Sequence, residues 1–206
     1  SGTFNYCTGG NGSFGGDSGT ASGTFTNCTG GDYSFGGGSG GTASGTFTNC
    51  TGGIASFGGN NTASGIFTNC KGGDYSFGGD GTASGSFIDC IGGDFSFGGA
   101  GSLATGTFSN CVGGDYSFGG EAGSASGTFT DCTGGDRSFG GGEGTASGTF
   151  NYCTGGEYSF GGGGGTITST ARLYYCRLTT GTFETPAAGG KLVLCIDGND
   201  AVVTTS

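Results

Sequence analysis

The 206-residue sequence has no Met, Trp or His, and a single Pro, Pro186. Without His there is no imidazole to act as general base or metal ligand near neutral pH. Basic residues are scarce: five Lys and Arg stand against fifteen Asp and Glu, a net charge of -10. That balance excludes a general nucleic-acid binder, which needs a basic face to meet phosphate. No apolar run approaches the ~18–20 residues that a membrane span needs, so membrane insertion is not expected. No signal peptide is visible, and the missing initiator Met implies a processed chain or a fragment.

The chain is rich in Gly, 57 residues, and in Phe, 18 residues. Gly at this level without a pattern would mean disorder, because each Gly loses much backbone entropy on folding. The Phe content argues against that, since disordered chains are poor in aromatics.

The pattern is a repeat. Aligning on Cys gives Cys7, Cys28, Cys50, Cys70, Cys90, Cys111, Cys132 and Cys153, spaced 20 to 22 residues apart. The unit reads A-S-G-T-F-T-N-C-T-G-G-D-Y-S-F-G-G, followed by a few Gly, Ser, Asn or acidic residues. Length varies only after the second G-G pair, so the loop lies there. A unit this rich in Gly is a poor helix, where each Gly costs ~1 kcal/mol relative to Ala.

A-S-G-T-F alternates. Ala43, Gly45 and Phe47 face one way, and Ser44 and Thr46 the other. Asn49, before Cys50, suits a left-handed corner, and the G-G pairs read as further corners. The predicted fold is all-β: a single-stranded parallel β-solenoid, or β-helix, with glycine-rich coils of about 21 residues. Residues 1–165 form eight coils, and residues 166–206 form a C-terminal cap of ordinary strands. Such a rod is ~40–50 Å long at ~4.8 Å per coil. Its core is columns of Phe, Ala and Cys, and its stability comes from stacking. The first residues, Ser1-Gly2-Thr3-Phe4, start inside a repeat, so more chain or another subunit is expected to cover that end.

The repeat, together with L-Y-Y-C-R-L-T-T-G-T-F and C-I-D-G-N-D near the end, resembles glycine-rich repeat proteins of tailed bacteriophages, of the tail-fibre or adhesin type. The resemblance implies a virion-associated or extracellular rod that displays variable loops to a host surface. The implied partners are a glycan or protein receptor, or other fibre subunits. It carries over no receptor-binding residue. The third coil departs from the unit, with Ile54-Ala55 in place of Asp-Tyr, and the first has Asn11-Gly12 there.

Four sets of residues carry candidate chemistry. The ten cysteines recur one per coil, and a column of buried thiols fits them better than disulfides. Zinc is not expected without His or a C-x-x-C pair. Asp32, Asp74, Asp94, Asp115, Asp136 and Glu157 form an acidic ladder. It is either a solvated corner or, less in keeping with the spacing of known calcium repeats, a calcium edge. Like carboxylates in like environments do not make an acid–base pair, so no enzyme and no cofactor is expected.

Tyr33, Tyr75, Tyr116 and Tyr158 flank the ladder. Aromatics beside carboxylates and hydroxyls suit sugar recognition. Finally, Ser22, Ser44 and Ser64 form one hydroxyl column, and Thr24, Thr46, Thr107, Thr128 and Thr149 the next. Together they predict a flat lattice similar to that of ice-binding solenoids. An ice-binding rod is therefore the alternative to the receptor-binding one.

Overall fold

The structure, a computed structural model, describes residues 1–16 and 18–205. The chain is an all-β parallel solenoid in which every coil repeats the path of the one before. The longest ladder is a ten-stranded sheet through the T-F-T segments, with Phe47 opposite Phe67 and Phe67 opposite Phe87. An eight-stranded sheet runs through the preceding T-A segments, where Ala43 lies opposite Ala63. A third ladder starts as single-residue bridges at Thr8, Thr29, Thr51, Lys71, Ile91, Val112 and Thr133. It widens into a four-stranded sheet at Thr154–Gly155.

A typical coil thus holds two very short strands and one bridging residue, and the expected five-residue strand is broken. Thr42–Ala43 and Thr46–Thr48 belong to different sheets. Between them the amides of Ser44 and Gly45 both donate to the Ala21 carbonyl of the coil below, at 3.0 Å each. Two successive amides meet one acceptor only where the chain bends. Gly45 is needed at that bend because the carbonyl of Gly23 occupies the space a Cβ would take.

The core is two interleaved Phe columns. Phe47 stacks on Phe67 at 4.9 Å and 3°, and meets Phe57 of the other column edge-on at 5.6 Å and 87°. This herringbone repeats along the rod. Each favourable aromatic pair adds about 0.5–1.5 kcal/mol beyond the area it buries. The cysteines form a third column, buried except for the half-buried Cys7, and all ten are unbridged. The Cys50 thiol donates to the Phe25 carbonyl one coil below, at 3.4 Å. A small apolar side chain with a weak donor satisfies both demands of that position.

The G-G-D-Y-S-F arc explains its own sequence. A Cβ on Gly113 would lie 2.6 Å from the Cβ of Ser117 and 3.0 Å from the ring of Phe118. The first Gly of the pair therefore makes room for the Ser and Phe of its own coil. The second makes room for an acid: a Cβ on Gly114 would overlap the Asp94 carboxylate of the coil below. Neither residue needs a positive φ, so this pair serves space rather than a corner. The corners fall elsewhere. Asn69, as expected, is left-handed at φ 50°, but so are Tyr75 at 56° and Phe77 at 54°. A non-glycine residue there costs roughly 1–2 kcal/mol. The arc accepts it because the Tyr75 amide then donates to Asp94 in the next coil, and the Phe77 amide to Ser56 in the previous one. The Phe ring is fully buried in return, worth roughly 1.5–3 kcal/mol.

Residues 166–206 differ in composition, yet much of the segment follows the same path. Arg172–Tyr174 and Lys191–Val193 are the last two strands of the ten-stranded sheet, with Leu173 and Leu192 continuing a Phe column. Phe183 packs on Phe160, the last ring of the other column, at 5.8 Å. Val202–Val203 then turns back antiparallel on Cys195–Ile196. Asp197 fixes that turn by accepting the amides of Asn199 and Ala201, at 2.9 Å each.

Candidate functional site

One edge of the rod gathers the acids, the tyrosines and the variable loops. The acids follow the glycine pair, and all but Glu157 are tied to the coil above through a single oxygen. Asp74 Oδ1 accepts the amide of Asp94 at 3.0 Å, and Asp94 Oδ1 that of Asp115 at 2.9 Å. Asp115 Oδ1 accepts the amide of Asp136 at 2.8 Å, and Asp136 Oδ1 that of Glu157 at 2.7 Å. In the first coil Asn11 Oδ1 does the same for Asp32 at 3.0 Å. An uncharged oxygen therefore suffices, and the ladder stitches coils together as a side-chain substitute for a backbone carbonyl. Asp32 likewise accepts the amide of Ile54, but Ile54 has no oxygen to offer the coil above it. Among the described residues, no three His, Cys, Asp or Glu side chains gather to hold a metal.

Beside the acids runs the aromatic row. Tyr75 stacks on Phe95 at 4.9 Å, and Phe95 on Tyr116 at 4.8 Å. Arg137 takes the next rung, its guanidinium 5.6 Å from the Tyr116 ring and 5.8 Å from the Tyr158 ring. Arg137 also pairs with Glu121 at 2.9 Å. The neighbouring Glu157 carboxylate holds the Tyr158 hydroxyl above its ordinary pKa. Two cavities of about 300 Å³ and 280 Å³ open on this edge. Their walls combine tyrosines with residues of the variable loops, Asn60 and Asp80 in one, Glu121 and Glu143 in the other. All four sequence-predicted tyrosines lie in this row, with Phe95 and Arg137 as members that the Tyr pattern alone did not reveal.

The hydroxyl columns divide. Ser22, Ser44 and Ser64 sit at the bend, whereas Thr24, Thr46, Thr107, Thr128 and Thr149 lie on the ten-stranded sheet. The two columns are separated by a corner rather than sharing one plane. The second column on the sheet itself is Thr26, Thr48, Thr68, Ser109 and Thr130, two residues along each strand. Alternation about the buried Phe is the signal that finds it. Ile66 and Ile88 interrupt the sheet's hydroxyls in the middle coils.

The backbone path and this edge define a glycine-rich parallel β-solenoid with an aromatic and acidic rim broken at Ile54-Ala55. No protein-family model, no curated protein and no solved structure matches the chain.

Proposed function

We propose that the chain is a non-enzymatic binding rod, the receptor-binding part of a phage tail fibre or surface adhesin. The observation that supports this most is the convergence on one edge of half-buried and exposed aromatic rings, carboxylates and the segments that vary in length. Stacked coils hold the rings rigidly, so binding there orders little. Flat rings recognise sugar faces and the acids accept hydroxyls, which favours a surface glycan, with a protein receptor as the other candidate. Fluorescently labelled protein should decorate bacterial cells from a panel, and Tyr75→Ala with Tyr116→Ala should abolish this without unfolding the rod. Failure to bind any strain, or binding indifferent to the double substitution, would reject the reading.

A second reading has its own observation. The paired Thr columns of the ten-stranded sheet, broken at Ile66 and Ile88, are spaced by one strand along the rod. An ice-binding rod would use them. Thermal hysteresis at micromolar protein, lost in Thr128→Lys, would favour this reading over the first.

A further inference from the structure

The aromatic row is interrupted at Ala55. Tyr33, Ala55, Tyr75, Phe95, Tyr116, Arg137 and Tyr158 occupy the same position in successive coils, all left-handed with φ between 50° and 58°. Where rings are present on adjacent rungs they stack at 4.8–4.9 Å. Ala55 supplies only a methyl group, so Tyr33 and Tyr75 stand two rungs apart, about 10 Å at the strand spacing. The space left over is one rung thick. It is the cavity of about 300 Å³, floored by Ala55 and edged by Asn60 and Asp80.

The same chain shows what such a gap holds. At the equivalent rung between Tyr116 and Tyr158, the flat group is the guanidinium of Arg137, with Glu121 from an adjacent loop as its counter-charge. Asp80 supplies a carboxylate to the slot at Ala55 from the opposite side: it follows Tyr75, the ring above the gap, whereas Glu121 follows Tyr116, the ring below Arg137. Among the described residues no cation pairs with Asp80, and burial raises its carboxyl above the ordinary value. A planar cation between two ring faces, beside a carboxylate, is the geometry that favours guanidinium over ammonium.

We propose that the slot between Tyr33 and Tyr75 binds an arginine side chain presented by a partner protein. Peptide-borne arginine fits better than the free amino acid, whose own carboxylate would enter a chain of net charge -10. The site does not depend on the rod's biological setting, and a failure of cell binding leaves it untouched.

The test is an NMR titration of the full chain, following the Ala55 methyl and the Tyr33 and Tyr75 rings. The probes are N-acetyl-arginine methylamide, free arginine, the lysine analogue of the first, and methyl glucoside. The blocked arginine should bind at one site, at least ~10-fold tighter than the lysine analogue, with free arginine weaker than the blocked form. Asp80→Asn should weaken it by ~5–10-fold. Ala55→Arg should fill the slot from within and abolish binding, while Arg137→Ala should open a second slot and raise the stoichiometry to two. Equal binding of arginine and lysine probes, preference for the glucoside or for free arginine, or no second site in folded Arg137→Ala would overturn the proposal.

Discussion

The Asp94 carboxylate accepts the backbone amide of Asp115, one coil further on, at 2.9 Å. The contact gives the acidic ladder a structural role that charge alone does not. Asn11 makes the same contact in the first coil. Asp94→Asn with Asp115→Asn should therefore keep both bonds, relieve like-charge repulsion, and leave the melting temperature equal or higher. Asp94→Leu with Asp115→Leu should lose about 0.5–1.5 kcal/mol per bond. If repulsion is the only ionic effect, calcium should stabilise no more than sodium chloride at matched ionic strength. A calcium-specific rise, absent from the Asn pair, would show that the carboxylates hold the ion.

The same acid explains a glycine. Gly114 has no room for a Cβ because the Asp94 carboxylate fills it. Gly114→Ala should cost roughly 1–3 kcal/mol by overpacking. Adding Asp94→Ala should recover part of that loss, since it removes the atom that clashes. A double-mutant cycle read by chemical denaturation measures the coupling, and strict additivity would mean the clash lies elsewhere.

Phe77 is fully buried mid-rod, whereas Phe14 in the first coil is only half-buried. Phe77→Ala should cost ~3–5 kcal/mol. Phe14→Ala should cost less, because its rung already has solvent on one side and end coils fray locally. Equal losses in urea melts would contradict a one-dimensional stack.

The buried Cys153 thiol makes the rod sensitive to alkali. Burial pushes the Cys153 thiol well above its ordinary value of 9.0. The folded state thus keeps a proton that the unfolded chain releases. The stability this contributes is fully present below pH 9 and is lost as pH rises above it. The midpoint of unfolding should fall steeply from about pH 9 upward, and a Cys153→Ala variant should fall less. Native protein should react slowly with a thiol reagent, and denatured protein should titrate for ten thiols.

What the sequence determined by itself was the period and therefore the columns. In a solenoid, residues one repeat apart in sequence are one rung apart in space, so identical letters at a fixed interval become stacked neighbours. Phe47 above Phe25 and Cys50 above Cys28 follow from counting, and the left-handed Asn69 from the tolerance of Asn for that conformation.

The tertiary structure decided everything that passes between coils at an angle. It put the bend at Ser44-Gly45 and so parted the Ser column from the Thr sheet. It turned Tyr75 and Phe77 left-handed so that their amides point to opposite neighbours. It aimed the Asp94 oxygen at the amide above rather than at water, and it brought Asp80 over the gap at Ala55. Each of these is set by hydrogen bonds and contacts that exist only once two coils are stacked. A single repeat carries the letters for them but has no partner against which to form them.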